Sequence, residues 1–180
     1  SGAGAASASR VDVGASWGTL VHGLLEHAAR HRDATPADLQ RLAGWLIAET
    51  PDLRPAVPAA LDLVAKIVSA PFWKEVRAGS DAYVEVPFTV LISAGESLGS
   101  LGPVAVPTVL HGVIDLVYRT PDGWRILDYK TDAAAASGAT LLARHAAQLE
   151  QYRAAWERVN GQTVNRQGIV AVRSGTVEWA

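Results

Sequence analysis

Apolar positions fall into two rhythms along this 180-residue chain. Leu20, Leu24 and Ala28 recur at four-residue spacing, the period of one helix face, and Ser16 suits the cap of a helix over 16–32. Segments 36–49 and 58–69 read as two more helices, each opening on proline, which is favoured in a first turn. Phe72 and Trp73 are expected to plug the core at the following joint. From 83 to 92 the pattern changes to alternation, the signature of a half-buried strand. Residues 93–107 are rich in Gly, Ser and Pro and read as a long loop. Two β-branched and aromatic runs, VIDLVY and WRILDY, then flank Thr120-Pro121-Asp122-Gly123. This is a turn signature, since Pro presets one φ, Asp suits the next position and Gly absorbs a positive φ. Residues 139–159 form the longest helical pattern, closed by Asn160-Gly161. A strand over 164–172 follows, then a short hairpin through Ser174-Gly175 to Trp179. No internal repeat is found. The order of helices, three strands, helix and strand predicts an α/β fold. Its mixed central sheet is flanked by helices, with the hairpin central and the long helix packed against it.

Candidate chemistry concentrates in that hairpin. Symmetric pairing about Pro121-Asp122 sets Asp115 opposite Asp128, because both are equidistant from the turn. Carboxylates so placed are roughly 5 Å apart at Cβ and repel unless neutralised, which a divalent cation would do. A bulge at Gly123 would instead slide the pair to a diagonal. Asp128 and Lys130 share a strand face about 6.7 Å apart, and the backbone carbonyl of Tyr129 can turn towards the carboxylates. Hard cations such as Mg²⁺ take oxygen ligands of this kind. Lys130 is then placed beside the ion to hold a nucleophile or stabilise phosphoryl charge. This is the constellation that a metal-dependent phosphodiesterase needs.

Gly112-x-Ile114-Asp115 followed by Asp128-Tyr129-Lys130-Thr131 resembles the core of the PD-(D/E)xK nucleases, in their RecB-like branch. Three further stretches resemble motifs of that branch in the same order: GTLVHGLLEHA at 18–28 with His22, Glu85-Val86-Pro87-Phe88, and Gln148-x-x-x-Tyr152. The resemblance covers about residues 15–180. It is nearest to the C-terminal nuclease domains of bacterial helicase–nucleases of the AddA and RecB type, which process double-strand DNA ends. It implies a restriction-endonuclease-like core, a Mg²⁺ or Mn²⁺ cofactor held by His22, Asp115, Asp128 and the Tyr129 carbonyl, and catalytic roles for Asp115, Asp128, Lys130, Gln148 and Tyr152. The implied activity is that of an exonuclease V-like deoxyribonuclease. Its implied partner is DNA, expected as a single strand delivered by a helicase domain or subunit. Two other readings share the fold: a non-catalytic DNA-binding or scaffolding copy, and a free-standing repair or restriction-type endonuclease.

Composition narrows these expectations. With 49% hydrophobic and 19% charged residues the chain is globular and long enough for one cored domain. It has no cysteine, which excludes the iron–sulfur subgroup of the same branch. The linker-like stretch 1–10, small and flexible in composition, and the lack of any methionine suggest a module of a longer polypeptide, with residues 11–180 as a single nuclease domain. No phosphate-binding P-loop motif occurs, so any motor lies outside this chain. A net charge of −2 announces no basic face of the kind that holds DNA unaided, and delivery by a partner fits. Without an 18-residue apolar span or a signal-peptide pattern, a cytoplasmic setting is expected.

Several side chains keep two readings. Glu85 suits an outer-sphere carboxylate or an edge-strand charge. His22 could simply bond Glu26 one turn on. Arg144, Gln148, Tyr152 and Trp156 share one stripe of the long helix, with Trp156 assigned to the core and Arg144 open to DNA. His27 and His31 have metal-binding spacing but sit at a helix end beside Arg30 and Arg32. The six tryptophans are mostly core, although an exposed one could stack on single-stranded bases.

Overall fold

The computed structural model describes residues 3–79, 81–131 and 138–180, with side chains from residue 16 onward except 138 and 139. Helix α1 spans Ala3–Arg30. It therefore begins well before Ser16 and takes in most of the stretch read as a linker, because alanine has the highest helix propensity of all residues. Residues 1 and 2 of that stretch lie outside the described residues. Helix α2 (Pro36–Leu46) starts from a full capping box, in which Thr35 and Asp38 each bond the other's backbone amide. It ends before 49, at Ile47. A 3-10 turn over Pro51–Ala56, for which the sequence pattern gives no sign, leads into α3 (Val57–Val68). Phe72 and Trp73 are buried as expected, but on a further short helix, α4 (Pro71–Ala78).

Five strands follow the order β1-β2-β3-β4-β5 across one sheet. Strand β1 (Ala82–Ile92) pairs antiparallel with β2 (Thr108–Thr120), and β2 with β3 (Gly123–Lys130). The turn closes with Thr120 opposite Gly123, the symmetric register, and Gly123 has φ of 124°. Helix α5 (Gly138–Asn160) then crosses over so that β4 (Val164–Ala171) runs parallel to β3, and β5 (Thr176–Trp179) closes the edge antiparallel. The sheet is thus mixed, with β3 in the middle.

Helices cover both faces. Leu20, Leu24, Leu25, Val64, Ile67 and Trp73 pack with Leu116, Tyr118, Leu127 and Tyr129 on one side. Trp156 packs with Val117, Trp124, Ile126 and Val164 on the other. The loop 93–107 lies along α5: Leu98 is buried against it, Ser100 Oγ donates to the Ala147 carbonyl (2.8 Å), and Gln151 Nε2 donates to the Leu98 carbonyl (3.0 Å).

One irregularity shapes the site. Glu85 has φ of 50°, the positive φ that a non-glycine residue adopts here at a strain of order 1–3 kcal/mol. Across it the alternation of β1 reverses: Val84 packs on the α1 side, whereas Val86 and Phe88 pack on the α5 side. Strand β2 reverses at the same level, with Ile114 in the α5-side cluster and Leu116 in the α1-side one. Between these pairs stand Glu85 and Asp115, across from each other in the register of Val84 with Leu116 and Val86 with Ile114.

Candidate metal centre

The pairing of Leu116 with Leu127 carries one step further to Asp115 opposite Asp128, so three acidic positions line up across three adjacent strands: Glu85, Asp115 and Asp128. Asp115 is held by its backbone neighbour, since the Tyr129 N–H donates to its Oδ2 at 2.6 Å. A strand residue's N–H and C=O leave on the same edge, so the Tyr129 carbonyl also faces β2 and the carboxylates. Helix α1 brings His22 over this row. Its Nδ1 lies 3.8 Å from Glu85 Oε1 and 3.9 Å from Asp115 Oδ2, and its ring meets that of Tyr129 edge-on at 5.7 Å. Glu26, the sequence candidate for a local bond to His22, pairs instead with Arg30 at 2.8 Å.

One atom each from His22, Glu85 and Asp115 lies within 4.8 Å of the others. An imidazole nitrogen with two carboxylate oxygens fits a divalent cation such as Mn²⁺ or Mg²⁺. Glu85 is therefore part of the cluster rather than an edge charge. Asp128 stands beside this triad and not within it, paired with Lys130 Nζ at 2.7 Å.

The electrostatics match an uncompensated anionic centre. Burial pushes the Asp115 carboxyl up to about 8, aided by the charges of Asp128 and Glu85 and opposed by the Tyr129 amide and Lys130. Asp128 is also raised, chiefly by burial, while the Lys130 ammonium works against that rise. Both are acids that a nearby cation would ionise.

Helix α5 contributes the remaining candidates. Gln148 Nε2 donates to the Tyr152 hydroxyl at 2.7 Å. Burial raises that phenol to about 12, with the charges of Asp128 and Asp115 adding to the rise. Trp156 is core and Arg144 is exposed, as expected. His145 escapes the sequence motifs; its positive charge favours ionised Asp128, and its place one turn before Gln148 was the available signal. His27 and His31 face each other at 4.3 Å between ring centroids, away from the cluster.

Comparison with known proteins adds an independent line. A family model described as the PD-(D/E)XK nuclease superfamily matches residues 2–178. The chain is 28% identical over 152 residues to an ATP-dependent helicase/nuclease subunit from Alkaliphilus oremlandii, covering 82% of this chain and 12% of that protein. It is 31% identical over 156 residues to the protein of the same name from Carboxydothermus hydrogenoformans, covering 84% and 13%. For that of Acetivibrio thermocellus the identity is 27% over 164 residues, covering 89% and 13%. The chain thus spans about an eighth of the length of these curated relatives.

Proposed function

Because the chain belongs to the PD-(D/E)XK nuclease superfamily, we propose that it is a metal-dependent DNA nuclease domain that hydrolyses phosphodiester bonds. The observation that carries this reading is the meeting of His22, Glu85 and Asp115 beside the Asp128–Lys130 pair. Buried acids at this density are stable together when a cation offsets their charge. Residues 11–180 act as the single nuclease domain. Its cofactor is Mg²⁺ or Mn²⁺, held by His22, Asp115, Asp128 and the Tyr129 carbonyl, with Glu85 joining them. Bound there, the cation supplies Lewis-acid polarisation of a phosphoryl oxygen and acidifies water.

The protein's own groups do the rest. The Asp115 and Asp128 carboxylates orient the ion, and Asp115 is kept in place by the Tyr129 amide. Lys130 brings a fixed positive charge to the phosphoryl oxygens and to the nucleophile, where pre-set charge stabilises the transition state most. Gln148 and Tyr152, bonded to each other, present an amide and a phenol to the strand's backbone. Helicase/nuclease proteins among the relatives support DNA as substrate, a single strand delivered by a motor outside this chain, and a cytoplasmic setting.

Cleavage of labelled single-stranded DNA with Mg²⁺, with Mn²⁺ and with chelator tests the proposal. Metal-dependent cutting is expected in the wild type and a loss of at least a hundredfold in Lys130→Ala and Asp128→Ala, both folded by circular dichroism. Undiminished cutting in both variants would sink the assignment. Metal binding by calorimetry with no cutting by any protein would favour an inert DNA-binding copy of the fold.

A further inference from the structure

A cavity of about 540 Å³ opens directly beside the metal cluster, and Glu85 belongs to both. Its walls are aromatic. Tyr83 stacks on Trp124 at 6.0 Å and 22°, and it faces Trp156 at 6.2 Å. Trp124 and Trp156 lie 5.0 Å apart. Both indoles are braced: Trp124 Nε1 donates to Gln162 Oε1, and Asn160 Nδ2 donates to the Trp156 carbonyl at 3.1 Å. Arg119 caps the Trp124 ring at 5.9 Å. Tyr83 is the exception among these rings, since 47% of it remains exposed although one face is already covered by Trp124. A half-exposed, pre-stacked aromatic beside a candidate metal centre has an unused face.

We infer that this cavity is a base-stacking subsite, in which Tyr83 receives one unpaired nucleobase of the strand whose backbone enters the metal cluster at Glu85. The inference rests on the nuclease reading and specifies its substrate as single-stranded. Three features select a base over a phosphate. The lining carries Glu85, which repels an anion, and the one cation there among the described residues, Arg30, is already paired with Glu26 at 2.8 Å. The ring walls are uncharged and offer π-faces, which every base can use. Tyr83 and Glu85 are two residues apart on β1, about 6.7 Å along the strand, so a base on the ring leaves its adjoining phosphate at the edge of the cluster. A paired base has its edges and faces occupied within the duplex and could not enter.

Anisotropy of a labelled oligothymidine, titrated in chelator so that nothing is cut, reads the subsite alone. Tyr83→Ala is expected to weaken binding about tenfold, while Tyr83→Phe keeps wild-type affinity. An oligomer with abasic sugars throughout should bind wild type and Tyr83→Ala alike, a result that a merely unfolded variant would not give. Lys130→Ala, tested alongside, should bind as the wild type does. Equal oligothymidine affinity for wild type and Tyr83→Ala, or no binding by either, overturns the inference. Metal-dependent cleavage is measured separately on the same proteins. Cutting with an unchanged KM in Tyr83→Ala discards the subsite and keeps the nuclease. Stacking through Tyr83 without cutting keeps the subsite and discards the nuclease.

Discussion

At the scale of single residues, the centre is governed by how much charge three adjacent strands can bury. Asp115 holds its proton up to about pH 8 in the folded protein, against an ordinary value of 3.8. Between those values the native state binds more protons than the unfolded chain, so the metal-free protein loses stability as pH rises from about 4 to about 8. Below that window the contribution is flat, and above it the full penalty remains. Urea midpoints measured in chelator at pH 5, 7 and 9 should therefore fall, and the fall should shrink in Asp115→Asn, which keeps an acceptor for the Tyr129 amide. A slope unchanged by that substitution would assign the effect elsewhere. Since a cation competes with the same proton, Mn²⁺ affinity should rise over the same pH range. Glu85 shows why the triad was only half visible: its carboxylate was evident in the sequence, but the positive φ that turns it towards Asp115 follows from no local motif.

Among elements, the paired strands β1 and β2 do the positioning. Their side-chain alternation reverses together at Glu85 and Asp115, which leaves both acids between the two packed faces. Below the reversal, Phe88 lies over Gly112: a Cβ at Gly112 would sit 2.7 Å from Phe88 Cζ. The two residues thus form one packed joint from two motif stretches far apart in the chain. Gly112→Ala should destabilise the protein by about 1–3 kcal/mol through overpacking, read as a lower urea midpoint, and should weaken Mn²⁺ binding because Asp115 is three residues away. An unshifted midpoint would show that the ring yields freely. The long helix was readable to within a residue, because its period is sustained and Asn160-Gly161 ends it with Gly161 at φ 66°. The short α4 was not, since eight residues carry too few repeats of a 3.6 period to stand out from a turn.

Over the whole molecule, the centre is a joint between layers. His22 comes from the helices on one face, Gln148 and Tyr152 from the helix on the other, and the acids from the sheet between. A cation held there ties α1 to β1 and β2. At a hundredfold excess over its Kd it should stabilise the fold by about 2.7 kcal/mol, a Tm increase of roughly 5–10 °C for a domain of this size. His22→Ala should remove most of that increase while changing the metal-free Tm little, because His22 is partly exposed. An equal Mn²⁺-induced shift in both proteins would place His22 outside the site. Among the described residues no single helix is long and apolar enough to cross a membrane.

What the amino-acid order determined by itself was local or periodic. The Pro121-Asp122 turn set the hairpin register, and with it Asp115 against Asp128 and Lys130 beside Asp128, because turn geometry and a two-residue repeat leave one arrangement. The helix periods and the change of rhythm at 83 determined the α/β order. Tertiary structure alone decided which distant groups converge: Glu85 with His22 and Asp115, Phe88 with Gly112, Tyr83 with Trp124 and Trp156. Those meetings depend on the docking of α1 and α5 and on the reversal at Glu85. They are set by packing across the whole core, which no window of neighbouring residues encodes.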